Sequence, residues 1–331
     1  MKRPRFLPDN MTLLILAVVL TASIFPCTGN VAVGFDYVTT FMIGLLFFMH
    51  GAKLSREAVI AGAGHWRLHL TVLLFTFAVF PILGLLLKPV LLWVITPELY
   101  LGIFFLCVLP STVQSSIAFT SVARGNVPAA VCSASASNLL GIFLTPLLVS
   151  LIVVTNSAHH SSFDAVLKIV YQLLLPFVAG QLVRPWIAPW IERNKDVLKM
   201  VDQSSILLVV YVAFSEAVVQ GLWKQVPLIM LVSLLVISGV MLAIIIFLTA
   251  YASRQFGFSK EDEITVVFCG SKKSLASGVP MAKVLFASHT VGMVLLPLML
   301  FHQLQLMVCA VLAQRYARRN ETSHLVAAIE K

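Results

Sequence analysis

Charged side chains are scarce in this sequence. Only 11% of its 331 residues are Asp, Glu, Lys or Arg, whereas soluble domains carry roughly 25%. Hydrophobic residues make up 59% of the chain, and the mean hydropathy is +0.96. So few charges cannot cover a surface that faces water, which excludes a soluble globular protein and makes lipid the solvent of the chain. Because about 20 apolar residues span a bilayer as a helix, the length allows about ten spans.

Motifs of enzymes and metal sites are also missing. The five cysteines are scattered without the spacing of metal ligands, and there is no G-x-S-x-G or H-E-x-x-H motif. The run from Gly270 to Ser274 lacks the first glycine spacing of a phosphate loop, and Ser271 beside Lys272 is no more than a weak hint of a Ser–Lys dyad. We therefore predict neither an enzyme nor a bound cofactor or metal.

Acidic residues are fewer than basic ones, 14 against 23, which gives a net charge of +9. The basic residues form short clusters between apolar runs rather than one face, so we expect a bilayer and not nucleic acid as the partner. Seventeen of the 23 fall on one side if the N-terminus is cytoplasmic. The positive-inside rule then predicts an inner-membrane, multi-pass protein with both termini in the cytoplasm.

The apolar runs predict ten transmembrane helices, and the N-terminal run is interpreted as a retained first helix rather than a signal peptide. The predicted spans are 11–26, 37–54, 68–87, 99–122, 127–154, 163–183, 203–221, 226–251, 262–285 and 288–314.

The chain also resembles itself, because Gln114–Ala118 in the fourth span matches Lys272–Ala276 in the ninth, each with a proline nearby. Five helices per half would give the two halves opposite topology, as in many secondary transporters. We predict an all-α membrane protein with a first repeat over 1–158, a second over 159–315 and a polar, frayed cytoplasmic tail over 316–331.

Two adjacent lysines, Lys272 and Lys273, lie inside the predicted ninth span. A lysine at this depth costs at least about 2.5 kcal/mol on insertion scales, and Gly270, Gly278 and Pro280 weaken the helix around it. Ammonium groups beside the N-terminus of a half-helix would attract an anion. The alternative is that the lysines snorkel to the interface or form a structural ion pair.

The matching segment in the fourth span is rich in hydroxyl and amide groups, which could bind a substrate or an ion, or could bond neighbouring helices. The predicted substrate-binding residues, taken over both segments, are Thr112, Gln114, Ser115, Ser116, Ser271, Lys272, Lys273 and Ser274.

Four residues are candidates for ion coupling: Ser116, Asn138, His50 and Glu216. Glu216 could be the counter-ion of a lysine or a proton-coupling acid, or an acid at the outer membrane surface. Asn138 lies in a run of small residues that otherwise indicates helix packing. His50 could titrate, but it is interpreted as a structural histidine, as is His302 in the last span.

Four stretches, 47–55, 112–121, 131–137 and 267–276, resemble the bile acid:sodium symporter (BASS) family, and most of all its SBF-like branch. The resemblance covers nearly the whole chain. It implies a core domain and a panel domain, with the broken fourth and ninth helices crossing in the core and substrate bound between the domains.

The sequence departs from the sodium-coupled members of this family. Ser116 keeps a family serine, but Ile117 stands for an amide, and the expected hydroxyl ligands on the next helix fall at Ala130 and Ala134. A glutamate and a glutamine of the second crossing helix fall at Phe268 and Lys272. Because hard cations need oxygen ligands, both family sodium sites are expected to be lost, and Lys272 could replace a sodium ion.

The function that we predict is secondary transport of a small or amphipathic organic anion by alternating access. Coupling to protons, coupling to sodium through backbone carbonyls, and uncoupled transport all stay open, as does the oligomeric state. Two other hypotheses are a non-transporting membrane regulator of ion homeostasis that keeps the transporter fold, and a passive channel.

Overall fold

A computed structural model describes residues 10–53, 63–153 and 170–329 of the chain. Those residues are helical apart from short connections, and they contain no β-strand. The helices are α1 (Asn10–Ile24), α2 (Gly29–Lys53), α3 (Trp66–Leu86), α4 (Lys88–Leu91), α5 (Pro97–Val108), α6 (Gln114–Val122), α7 (Val127–Val153), α8 (Leu175–Arg193), α9 (Lys195–Val219), α10 (Leu222–Gln225), α11 (Leu228–Gln255), α12 (Lys260–Gly270), α13 (Leu275–Leu285) and α14 (Ser288–Ile329).

Six of the described helices are long and apolar enough to cross a membrane: α2, α3, α7, α9, α11 and α14. Shorter apolar helices, α1 and α5 among them, pack beside them. On α11 large apolar side chains such as Leu228, Val236 and Phe247 are exposed, while Leu234 and Met241 are buried. A helix that is apolar on both its inner and outer faces is typical of a membrane span.

Every predicted span has helical residues in the described parts of the chain, but several boundaries differ. Helix α2 begins at Gly29 rather than at residue 37, and α9 begins at Lys195 rather than at 203. The backbone of α14 stays helical to Ile329, so the prediction of a frayed tail after residue 315 was wrong. At α9 and α14, polar residues that continue a helix were interpreted as a connection and as a tail, whereas the start of α2 was placed too late although residues 31–35 are mostly apolar.

The fourth and ninth predicted spans are each broken in the middle. The first break separates α5 from α6 at residues 109–113, where Leu109 is extended and Pro110 cannot donate a helical hydrogen bond. The second break separates α12 from α13 at residues 271–274, and Ser274 caps the new helix by accepting from the Ser277 N–H at 3.1 Å. Each break therefore begins a fresh helix inside the apolar core.

Helices α2 and α8 cross at two glycines. A side chain on Gly51 would overlap the Phe177 carbonyl oxygen, and one on Gly180 would overlap the Phe48 carbonyl oxygen. The two backbones thus approach as closely as helices can, as small residues allow in membranes. This crossing fixes α2, which carries several residues of the site.

Candidate functional site

A cavity of about 810 Å³ lies between the two breaks and helices α2, α7, α8, α9 and α14. It is lined by the last turns of α2 and the first turns of α9, so it lies towards the end of the molecule where α1 and α9 begin. Part of its wall is apolar, with Phe47, Ile142, Phe177, Met281 and Leu306 among the lining residues. A wall with both apolar and polar regions suits an amphipathic ligand.

Both half-helices begin at this cavity. Thr112, Gln114 and Ser115 line it at the start of α6, and Ser274 and Ser277 line it at the start of α13. The first N–H groups of a helix lack intrahelical partners, and the helix dipole makes this end positive. Two such ends on one cavity favour a negatively charged ligand.

Two lysines add to this positive character. Lys53 and Lys199 line the cavity beside His50 and His302, and the one acid among its described lining residues is Asp202, which pairs with Lys53 at 2.6 Å. The Nδ1–H of His50 donates to the Leu46 carbonyl at 2.8 Å, so this ring is held on its own helix. Lys199 and Asp202 were not predicted site residues, because the charged first turns of α9 were assigned to a connection.

Hydrogen bonds from side chains and from the backbone join the two breaks. Ser111 donates to the Cys269 carbonyl at 2.6 Å, and Ser116 donates to the Phe268 carbonyl at 3.0 Å. Ser274 returns a bond, because its N–H donates to the Pro110 carbonyl at 2.9 Å. These bonds use backbone carbonyls that the interrupted helices would otherwise leave buried without partners.

Asn138 on α7 joins the two breaks from the side. Its Nδ2 donates to the carbonyls of Ser111 at 2.7 Å and Ala134 at 3.0 Å, and its Oδ1 accepts from the Ser277 hydroxyl at 2.8 Å. Both amide hydrogens are therefore used within the protein. Thr112 bonds the Ser115 and Ser116 hydroxyls in the same region.

The Lys273 ammonium is enclosed by three carbonyl oxygens. Its Nζ donates to Thr76 at 2.8 Å, Cys107 at 2.7 Å and Leu109 at 2.8 Å, and lies 4.2 Å from the centre of the Phe80 ring. These carbonyls are free because α3 widens into a π turn at Phe75–Val79 and α5 ends at Val108. An ammonium has three hydrogens, so all of its donors are used.

Lys272 points elsewhere. Its Nζ lies 3.8 Å from the centre of the Phe119 ring and 5.8 Å from that of Phe268, and it makes no hydrogen bond to any described residue. Both lysine side chains are 0% exposed, and neither lines the cavity. Direct contact of both lysines with the substrate was predicted. In this conformation they are instead buried behind the cavity wall.

The predicted site residues thus fall into three groups. Thr112, Gln114, Ser115, Ser274, Asn138 and His50 line the cavity, whereas Lys272, Lys273, Ser116 and Ser271 are buried behind it. Ser271 donates to the Val267 carbonyl at 2.6 Å on its own helix. Glu216 lies near the C-terminal end of α9, the end opposite to Lys199 and Asp202, and it is the hydrogen-bond partner of neither lysine.

Comparison with known proteins identifies the chain's relatives. Residues 9–318 match the model of the SBF-like CPA transporter family. The chain belongs to this family. The Escherichia coli protein YfeH, whose name designates a candidate symporter, is 59% identical over 95% of this chain and 94% of its own. An uncharacterized protein of Pseudomonas aeruginosa is 66% identical over 97% and 96%, and mouse sodium/bile acid cotransporter 7 is 29% identical over 83% and 82%.

Membership of the SBF-like CPA transporter family confirms the predicted resemblance, and it makes the chain a multi-pass membrane protein of a transporter family rather than an enzyme. Three positions at which sodium ligands were expected to be lost, Ala130, Ala134 and Phe268, hold apolar side chains that are 0% exposed. The Ser116 hydroxyl is already bonded to the Phe268 carbonyl. Within the described residues no cluster of three His, Cys, Asp or Glu is suited to a metal ion.

Proposed function

We propose that this chain is a secondary active transporter that moves a small or amphipathic organic anion across the inner membrane by alternating access. The anion binds in the 810 Å³ cavity, with its charge at the two half-helix N-termini and Lys199, and its apolar part against Phe47, Phe177 and Met281. The observation that carries this proposal is the convergence of both helix starts on one cavity with a net positive lining.

The proposed topology has ten spans in two inverted repeats, 1–158 and 159–315, with residues 316–331 as a cytoplasmic tail. Its support is the equivalent placement of the two breaks, which bond to each other through Ser111, Ser116 and Ser274. The cavity lies at the end of the molecule that carries Lys53 and Lys199. Under the positive-inside rule this end is cytoplasmic, so the conformation described here is open inward.

Sodium is named in the mouse relative, and it stays a possible coupling ion for this chain. The residues that replace the usual sodium ligands argue for coupling without those sites. We assign Lys273 to the support of the breaks, and we assign neither Lys273 nor Lys272 to direct contact with the anion in this conformation. The Lys273 side chain joins three carbonyls that converge at the break.

The test is ligand-dependent stability of the purified protein, measured against acetate, benzoate, decanoate, naphthalenesulfonate and sodium ion. A ligand that binds only the folded protein raises its melting temperature with concentration. We expect an organic anion to stabilise the wild type without sodium. In Lys199→Gln or Gln114→Ala the same stabilisation should need about ten times more anion, equal to about 1.4 kcal/mol of binding. Lys224→Gln, at an exposed lysine on α10, is the matched control.

Uptake into proteoliposomes then distinguishes the classes of function. Exchange of labelled for unlabelled anion against a gradient indicates a carrier, whereas flux without such counter-flow indicates a channel. Binding without any flux would favour the membrane regulator. If only sodium stabilises the protein, and the Lys199 variant responds as the wild type does, then the anion cavity is misassigned.

A further inference from the structure

Gln305 of α14 is 0% exposed, and its amide is bonded on both sides to the backbone of Lys273 in the second break. Its Oε1 accepts from the Lys273 N–H at 2.9 Å, and its Nε2 donates to the Lys273 carbonyl at 2.9 Å. Because a backbone N–H can only donate and a carbonyl can only accept, these two bonds fix which amide atom is oxygen and which is nitrogen.

The second hydrogen of this amide nitrogen determines the state of His302. Gln305 Nε2 lies 2.8 Å from His302 Nδ1. An amide nitrogen is only a donor, so Nδ1 must accept and must carry a lone pair. The imidazole is therefore neutral in this conformation, with its proton on Nε2.

His302 also lines the cavity, so one ring connects the ligand space to the second break. A proton added to Nδ1 from water in the cavity would set two donors face to face and break the bond to Gln305. Gln305 holds the Lys273 peptide, and the Lys273 ammonium holds the carbonyls of α3 and α5. The contact at His302 thus lies at the start of a continuous chain of bonds to both broken helices.

We propose that His302 is a proton-responsive coupling residue, clamped in its neutral form by Gln305 in this conformation and released from the second break by protonation. An imidazolium also adds positive charge to the cavity wall, so a bound anion and the proton favour each other by reciprocal linkage. The consequence for transport, proton–anion symport, rests on the proposed function. The clamp itself rests only on the hydrogen bonds.

Other titratable groups share this region and must be separated from His302. The cavity wall also holds His50 and Lys53 on α2 and Lys199 and Asp202 on α9. The neighbouring elements carry further titratable residues. At the break and on α13 and α5 they are Lys272, Lys273, Lys283, Glu98, Tyr100 and Cys107. On α9, α11 and α14 they include Lys195, Asp196, Tyr211, Glu216, Tyr251, Arg254, His289, Cys309, Arg315, Tyr316 and Arg318. Of these, His50 carries another imidazole, and Lys272 and Lys273 are fully buried amines, so these three are the main competitors of His302.

The first experiment measures the melting temperature of the purified protein from pH 5 to pH 8, without ligand. The unfolded chain takes up a proton at His302 below about pH 6.5, whereas the clamped ring resists it, so stability should fall as the pH falls. His302→Asn keeps an acceptor near the Nδ1 position that cannot be protonated. We expect the wild type to lose about 2–4 °C more than this variant between pH 8 and pH 5.

His289→Asn is the control, because His289 is an exposed histidine on the same helix. It should keep the full pH dependence, and His50→Asn should keep the His302 component. An unchanged pH dependence in His302→Asn would overturn the clamp. His302→Leu, which leaves no acceptor for Gln305, should be less stable than the wild type at pH 8, and equal stability there would also contradict it.

The second experiment uses proteoliposomes that contain a pH-sensitive dye and the anion that stabilises the protein most. The wild type should acidify the lumen as the anion enters. In His302→Asn the ratio of proton movement to anion exchange should fall at least about tenfold. Equal coupling in both proteins would overturn the role in symport. If no anion moves at all, the proposed function fails, while the pH dependence of stability still decides whether the clamp exists.

Discussion

At the scale of single residues, two neighbouring lysines with the same burial have opposite surroundings. The Lys273 ammonium donates three hydrogen bonds to carbonyls of α3 and α5, whereas Lys272 has aromatic rings and no acceptor among the described residues. Removing a donor from buried acceptors leaves each of them without a partner, at about 1–3 kcal/mol per group. Replacing a buried charge that has no hydrogen bond by an apolar side chain is often neutral or stabilising.

We therefore expect Lys273→Met to lower the free energy of unfolding by about 3 kcal/mol or more. Lys272→Met should change it by less than about 1 kcal/mol, since the variant loses only the cation–π contact with Phe119. Unfolding in increasing concentrations of a denaturing detergent measures both, and each variant is the control for the other. Equal destabilisation would show that Lys272 has a hydrogen-bonded role absent from this conformation.

At the scale of helices, the Gly51–Gly180 crossing shows where a single methyl group decides packing. The added Cβ of either alanine would overlap a carbonyl oxygen of the facing helix, which is backbone and cannot rotate away. We expect Gly51→Ala and Gly180→Ala each to cost about 2 kcal/mol or more, because α2 and α8 must separate along the crossing. Gly34→Ala on the same α2 has nothing within 4 Å of the new atom and should be neutral or slightly stabilising.

Helices were also the level at which sequence reasoning was most successful. Each predicted span has helical residues in the described parts of the chain, and Pro110, Gly270 and the lysine pair indicated the positions of both breaks. The first turns of α9 were missed because Lys199 and Asp202 are polar, although they line a cavity inside the protein. Neither the direction in which Lys272 and Lys273 point nor the bond between Gln305 and the Lys273 peptide could be predicted. Both depend on the backbone dihedral angles of the break, and no residue pattern specifies them.

At the scale of the whole molecule, polar contacts join the elements at the end opposite the cavity. Lys283 at the end of α13 pairs with Asp36 on α2 at 2.9 Å, and its side chain is 8% exposed. Trp223 donates to Ser23 at 3.0 Å, and Tyr211 donates to the Phe25 carbonyl at 2.9 Å. In alternating access, opening this end would require the Asp36–Lys283 pair to separate, because it joins α2 to a broken helix.

A cysteine in the cavity should report this closure through its labelling by a membrane-impermeant maleimide. Ser135 lines the cavity and would be replaced by cysteine. Cys27 would be replaced by serine, because the other four cysteines are already buried. We expect labelling from the side that carries Lys53 and Lys199, and little from the other side. Asp36 is 52% exposed, so the ion pair contributes about 0.5–1 kcal/mol, and Asp36→Asn should raise labelling from the closed side about two- to fivefold. Equal labelling from both sides in the parent protein would contradict alternating access and favour a channel, whereas an unchanged Asp36→Asn variant would show that the remaining contacts hold this end closed.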